Sequence, residues 1–122
     1  MKIIEAIQKV DALKPNNYSQ EDKIKWLSTL DGIIKTEIID THKGADKVEF
    51  NGYDTSSLET ELLVPAPYDD IYIKWLEAQI DYNNGEIGKY SNSMTMYNAA
   101  YSAFERHYNR KNMPLKKGFK YF

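Results

Sequence analysis

Apolar residues recur along much of the chain at spacings of three and four residues, the period of an amphipathic α-helix. The first such segment, residues 2–13, is followed by Pro15, which the interior of a helix does not tolerate. A second apolar face covers residues 24–41, and Ser19 with Asp22 three residues later forms a capping-box-like start before it. The pattern therefore predicts two helices in the N-terminal third of the chain.

Two further helices are predicted in the C-terminal half. The third begins after Pro67 with acidic residues in its first turn, and it weakens at residues 83–85, where it either frays or continues to Tyr90. The fourth is expected to end near Lys111. Its N-cap is expected at one of three consecutive residues, Ser91, Asn92 or Ser93.

The fourth helix carries an aromatic stripe at helical spacing, formed by Tyr97, Tyr101, Phe104 and Tyr108. The simplest explanation is core packing, in which the stripe faces Trp75, Trp26 and the isoleucines of the second helix. Ten tyrosines, two tryptophans and four phenylalanines are nevertheless many for so small a core. Because exposed tyrosine and tryptophan are typical of protein interfaces, we expect some of these rings to contact another chain.

The segment between the second and third helices, residues 43–67, has no helical period and is called the arm below. It contains an Asn51-Gly52 turn signal between two short apolar runs, residues 48–50 and 62–64, which predicts a β-hairpin. The chain is also acidic here, since residues 46–70 contain seven acids and one cation, Lys47. A connection this long in a small domain is typically functional or mobile.

These elements predict a mainly α, single-domain protein over residues 1–122. It has four helices, a β-hairpin-bearing arm (43–67) and an extended basic C-terminal tail (112–122). The absence of cysteine excludes disulfides, thiolate nucleophiles and cysteine zinc sites, and it favours a cytosolic compartment. The N-terminus lacks the pattern of a signal peptide, and we expect no contact with a membrane.

Charge is distributed unevenly along a chain whose net charge is only -2. Residues 1–105 contain 10 Lys or Arg and 18 Asp or Glu, a balance of -8, whereas residues 106–122 contain six cations and no acid, a balance of +6. Such asymmetry is typical of contact with nucleic acid or with an acidic surface on another protein chain.

Few residues suggest catalysis or metal binding. His42 and His107 belong to no spaced metal motif, and His42 is expected to be a surface residue near a helix end. Asp70, Glu77 and Asp81 lie on successive turns of the third helix and are interpreted as a solvated face. Phosphate-loop and nucleophile-elbow motifs are absent, so we predict no enzyme, catalytic residue, cofactor or metal.

Nucleic-acid binding is the strongest alternative that the residues themselves suggest. The C-terminal tail mixes three lysines with three aromatic residues, a combination that can hold single strands or phosphate backbones. The acidic remainder of the chain would repel DNA from most of the surface. The alternative is therefore a small helical regulatory or nucleic-acid-binding protein that uses this basic segment.

Two long stretches, residues 3–39 and 61–110, resemble small head-tail connector proteins, also called adaptor or head-completion proteins, of tailed bacteriophages and Gram-positive prophages. The resemblance covers nearly the whole chain. It is carried by phrases such as "KWLSTLDG", "ELLVP" leading into "YDD", "AQIDY" and "NSMTMYNAAY". These phrases are not a chemical signature, and the family offers no catalytic residue to carry over.

The resemblance implies an all-helical subunit that assembles into an oligomeric ring under the portal, extends the DNA channel without binding DNA specifically, and supports tail attachment. The implied partners are further copies of the chain, the portal protein, and tail or head-closure proteins. The implied location is the bacterial host cytoplasm during assembly and then the virion neck. We predict that the arm or the tail contacts a neighbouring subunit or the portal. The predicted protein-interaction residues are Phe50, Tyr53, Glu59, Glu61, Arg110, Lys116, Lys117, Phe119, Lys120 and Tyr121.

Overall fold

A computed structural model of the protein describes residues 1–115. It contains the α-helices α1 (Ile3–Leu13), α2 (Gln20–Glu37), α3 (Asp70–Asn83) and α4 (Ile87–Lys111). Two short 3₁₀ helices, Ile39–Thr41 and Ala45–Lys47, follow α2. The predicted mainly α architecture with four helices is confirmed. Residues 116–122 of the predicted tail lie outside the described residues.

Local sequence signals account for most helix ends. The Ser19 hydroxyl accepts a hydrogen bond from the Asp22 backbone N–H at 3.0 Å, which confirms the predicted start of α2. The Asn84–Glu86 turn separates α3 from α4, and Gly85 has a φ of 75°, a left-handed conformation that favours glycine. The "NNG" sequence thus ends α3 before Tyr90, and α4 ends at Lys111 as predicted.

The predicted start of α4 is wrong, because the helix begins at Ile87 and the expected caps at residues 91–93 lie inside it. Ser93 instead donates its hydroxyl hydrogen to the Asp81 carboxylate at 2.7 Å. The hydroxyl therefore takes part in a tertiary contact with α3, and it is not available to cap a helix.

The antiparallel α3–α4 hairpin packs on α1 and α2, and the aromatic stripe of α4 faces this core. Tyr97 and Phe104 are only 6% and 2% exposed, and the Tyr97 ring centroid lies 5.0 Å from that of Trp75. The Trp75 indole N–H donates to the Trp26 carbonyl at 2.8 Å, which joins α3 to α2. Core packing is confirmed for these two residues of the stripe, whereas Tyr101 and Tyr108 are half-buried.

The predicted β-hairpin in the arm is wrong, and no β-strand forms within residues 1–115. Gly52 has a left-handed φ of 89°, as the turn signal requires, but the next residue donates its N–H to the Ser28 hydroxyl of α2 at 3.1 Å. The second apolar run pairs with the N-terminus, where Leu62 N–H donates to the Met1 carbonyl at 2.9 Å. The arm therefore packs along the helices because its backbone finds partners there.

None of the helices in residues 1–115 combines the length and the apolar composition that are required to cross a lipid bilayer.

Candidate interaction surface

A buried carboxylate, that of Asp31 in α2, is one of the groups that hold the arm against the helices. It accepts hydrogen bonds from the Tyr53 hydroxyl, from the Tyr72 hydroxyl at 2.6 Å and from the Leu63 N–H at 3.1 Å. The Tyr72 oxygen in turn accepts the Val64 N–H at 2.7 Å. This network attaches both halves of the arm to α2 and α3 and so fixes the outer surface of the arm.

The electrostatics of this network are those of a structural site. Burial raises the pKa of Asp31, although hydrogen bonds from Tyr53, Tyr72 and Leu63 partly oppose the shift. Burial and the nearby Asp31 charge raise the pKa of both phenols above their ordinary value, so they remain protonated donors at neutral pH. Sequence reasoning missed Asp31. The available signal was its position on the apolar face of α2, one turn from Leu27 and Ile34, which indicates a buried acid.

The structure brings together three of the predicted interaction residues on the outside of the arm. Phe50 and Tyr53 pack edge to face with ring centroids 5.1 Å apart. Together with Glu49 and Glu61 they line a cleft of about 240 Å³, called the acidic cleft below. Glu59 lies nearby on the same segment.

The predicted acidic residues Glu59 and Glu61 also contact the N-terminus. The Lys2 ammonium is 2.9 Å from a Glu59 carboxylate oxygen, and the Met1 ammonium is 3.1 Å from Glu61. Both carboxylates remain largely exposed, at 77% and 67%. Exposed ion pairs of this kind contribute little to stability, so these acids are still accessible to a partner.

The other predicted interaction residues lie elsewhere. Arg110 is exposed in the last turn of α4 and does not line the acidic cleft. The remaining five lie outside the described residues, namely Lys116, Lys117, Phe119, Lys120 and Tyr121.

Exposed cations collect where α4 ends, and this region is called the cationic end below. Within residues 1–115, no ion pair involves any of these cations. Lys43 N–H donates to the Met113 carbonyl at 2.8 Å, which places the start of the arm beside the end of α4. The members of the cationic end are Arg110 and Lys111, in the last turn of α4, and Lys43 beside Met113.

An apolar groove of about 320 Å³ lies between the arm and the end of α4. Its apolar lining is Ile39, Val48, Leu63, Pro65, Phe104 and Tyr108. Lys111 of the cationic end also lines it. Sequence reasoning missed this groove, because its lining comes from three separate segments that the fold brings together.

The prediction that His42 is a surface residue is wrong, because the side chain is only 4% exposed. Its Nδ1 lies 2.7 Å from the Ile38 carbonyl and its Nε2 lies 2.7 Å from the Asn109 amide oxygen. Because the chain continues past α2 as a 3₁₀ helix, His42 does not lie at an exposed helix end. Helix α4 covers the imidazole, and the Tyr108 ring packs edge to face with it, with ring centroids 4.9 Å apart. The other histidine, His107, stacks on Tyr68 at 4.5 Å.

The prediction that the acids of α3 form a solvated face is wrong for Asp81, which is fully buried. Its carboxylate accepts hydrogen bonds from the Lys14 ammonium at 2.5 Å and from the Ser93 hydroxyl at 2.7 Å. Asp70 is exposed and Glu77 is half-buried. In the described part of the chain, no three His, Cys, Asp or Glu side chains are grouped so as to hold a metal ion.

Comparison of the chain with protein-family models, with curated proteins and with solved structures yields no match.

Proposed function

We propose that this protein is a structural subunit of a phage virion or prophage, a head-tail connector that assembles into a ring under the portal. The resemblance of residues 3–39 and 61–110 to connector proteins supports the proposal. The observation that carries it is the presence of two different surfaces of opposite charge, the acidic outer face of the arm and the cationic end. The role is structural, with no bond made or broken on the subunit.

A ring requires that each subunit meets its neighbours through two different surfaces that complement each other. The acidic cleft, with Phe50 and Tyr53 in its wall, offers aromatic area and negative charge. The cationic end of the next subunit offers the opposite charge, which favours one orientation of approach over the others. Because Asp31 already fixes the arm, less conformational entropy is lost when the contact forms.

In this role the subunit extends the DNA channel and supports attachment of the tail. The portal protein and the tail or head-closure proteins are its further partners. The balance of -8 over residues 1–105 disfavours phosphate contacts, so DNA passes through the ring without being held. Assembly takes place in the host cytoplasm, and the assembled ring forms part of the virion neck.

The test is charge reversal at the cationic end in the full chain, with Arg110→Glu combined with Lys111→Glu. The matched control is Lys9→Glu with Lys25→Glu, which changes net charge equally at exposed positions on α1 and α2. We expect the first variant to need about tenfold more protein to assemble, the equivalent of about 1.4 kcal/mol, and the control to assemble as the wild type does. Mass photometry over a concentration series and negative-stain electron microscopy measure this.

Two outcomes would contradict the proposal. One is wild-type protein that stays monomeric at every concentration and forms no rings. The other is equal assembly of the two reversed variants, since self-association would then not depend on the cationic end.

A second candidate function, nucleic-acid binding, is favoured by the clustering of exposed cations at one end of the molecule. Fluorescence anisotropy with labelled single- and double-stranded DNA distinguishes it. Binding that persists at physiological salt, weakens steeply as salt rises and is lost in Arg110→Glu with Lys111→Glu would support this candidate over the connector.

A further inference from the structure

The sequence contains two Asn-Gly pairs, Asn51-Gly52 in the arm and Asn84-Gly85 in the turn between α3 and α4. In such a pair the backbone nitrogen of the glycine can attack the carboxamide carbon of the asparagine, because a residue without a Cβ leaves that nitrogen accessible. The reaction requires that the carboxamide and the glycine N–H can both leave their native positions. The fold therefore decides which of two pairs with the same chemistry reacts.

The Asn84-Gly85 pair is held by hydrogen bonds at both of its reacting groups. The Asn84 carboxamide oxygen accepts the Tyr18 hydroxyl hydrogen at 2.6 Å, and the Gly85 N–H donates to the Tyr82 carbonyl at 3.0 Å. The Asn84 N–H also donates to the Ile80 carbonyl at 2.9 Å, which attaches the pair to the end of α3. Ring closure would have to break the bonds at both reacting groups, so the native fold protects this pair.

The Asn51-Gly52 pair lacks this protection. Both residues are exposed, and within residues 1–115 no hydrogen bond engages the Asn51 carboxamide or the Gly52 N–H. The next backbone group that is held is the Tyr53 N–H, which donates to the Ser28 hydroxyl at 3.1 Å. The two reacting groups therefore lie in an exposed turn, and no bond to the described part of the chain has to break before they meet.

We propose that Asn51 is a site of spontaneous deamidation in the native protein and that the fold protects Asn84 from the same reaction. The Gly52 nitrogen forms a bond to Cγ of Asn51, and the bond between Cγ and the carboxamide nitrogen breaks. Ammonia leaves with the proton that the Gly52 nitrogen loses, and a cyclic imide remains. Water then opens the imide at one of its two carbonyls, which gives aspartate or isoaspartate without oxidation or reduction.

The modification would change the charge of the acidic cleft. Asn51 lines this cleft together with Glu49 and Glu61, so either product adds a negative charge there. Isoaspartate also lengthens the backbone of the arm by one atom, because the main chain then runs through Cβ. The added charge makes the cleft more attractive to cationic groups. The inference goes beyond the connector role and does not depend on it.

Incubation of the full chain at mildly alkaline pH, below its unfolding temperature, tests this when peptide mass spectrometry follows both sites over time. We expect deamidation of Asn51 to be at least about tenfold faster than that of Asn84, since two hydrogen bonds of the second pair must break first. In concentrated urea the two rates should become similar, because those bonds are lost. The measurement is made on the free subunit, so it stands apart from the ring-assembly test.

Two variants sharpen the test. Tyr18→Phe removes the hydroxyl that holds the Asn84 carboxamide, so it should accelerate deamidation of Asn84 several-fold and leave Asn51 unchanged. Circular dichroism verifies that this variant is folded. Asn51→Gln should remove most of the acidic species that anion-exchange chromatography separates from the aged wild type, because glutamine would have to close a larger ring.

Three results would overturn the inference. Equal rates at Asn51 and Asn84 in the folded protein would show that exposure and hydrogen bonding do not select between the pairs. A rate difference that persists in urea would show that the neighbouring sequence, and not the fold, sets it. An unchanged rate at Asn84 in folded Tyr18→Phe would show that the Tyr18 hydroxyl does not protect that pair.

Discussion

Replacement of Tyr72 by Phe should be among the most destabilising single changes at the buried Asp31 network. The mutation removes a hydrogen bond to a carboxylate, worth about 1.5–3 kcal/mol, and it leaves the buried Val64 N–H without an acceptor, at a further cost of about 1–3 kcal/mol. We therefore expect a loss of about 3–5 kcal/mol in the free energy of unfolding. Since small domains are stable by about 5–15 kcal/mol, the variant should still fold.

Tyr53→Phe is the matched control, because it deletes the same hydroxyl from a second tyrosine bound to the same carboxylate. The Tyr53 hydroxyl only donates to Asp31, no backbone N–H depends on it, and the residue is half-buried. Its loss should cost about 1–2 kcal/mol. Urea denaturation followed by circular dichroism measures both values. Equal destabilisation by the two variants, or a loss below about 1 kcal/mol for Tyr72→Phe, would refute the network reasoning.

The other predictions concern the two buried carboxylates. Because burial raises the pKa of Asp31 above its ordinary value of 3.8, the folded state holds that proton more tightly than the unfolded state does. The free energy of unfolding of the wild type, relative to that of Asp31→Asn, should therefore fall as pH rises from about 3.8 through the folded pKa. Denaturation of both proteins across this pH range measures this difference. A difference that does not change with pH would contradict the prediction. Lys14→Met should cost about 3 kcal/mol by leaving Asp81 buried without its cation, whereas Ser93→Ala should cost about 1 kcal/mol. Similar unfolding midpoints for these last two variants would argue against the Lys14–Asp81 contact.

Interactions that are local in sequence were predicted well. Ser19 caps α2 through a bond to a residue three positions away, Pro15 follows the end of α1, and Gly85 takes the left-handed conformation that ends α3. The aromatic stripe was predicted for the same reason, since helical spacing places Tyr97 and Phe104 on one face. Such signals act within a few residues and do not depend on the rest of the fold.

The errors arose where a residue has a distant partner. Ser93 has the chemistry of an N-cap but bonds to Asp81, and residues 62–64 have the pattern of a hairpin strand but Leu62 pairs with Met1. His42 was placed at a helix end, and its burial depends on α4, more than fifty residues away along the chain. Propensity alone does not show which of several partners a polar group will find.

The candidate interaction surface also has some features that the sequence predicts and others that depend on tertiary contacts. Phe50, Tyr53, Glu59 and Glu61 are close in sequence, so their shared position on the arm followed from the chain itself. The role of Asp31 as an attachment point of the arm, and the apolar groove beside α4, depended on tertiary structure, because their contacts join segments separated by more than twenty residues. Local chemistry thus determined the helices and the charge of each segment, whereas long-range packing decided which polar groups are buried and which surfaces remain for a partner.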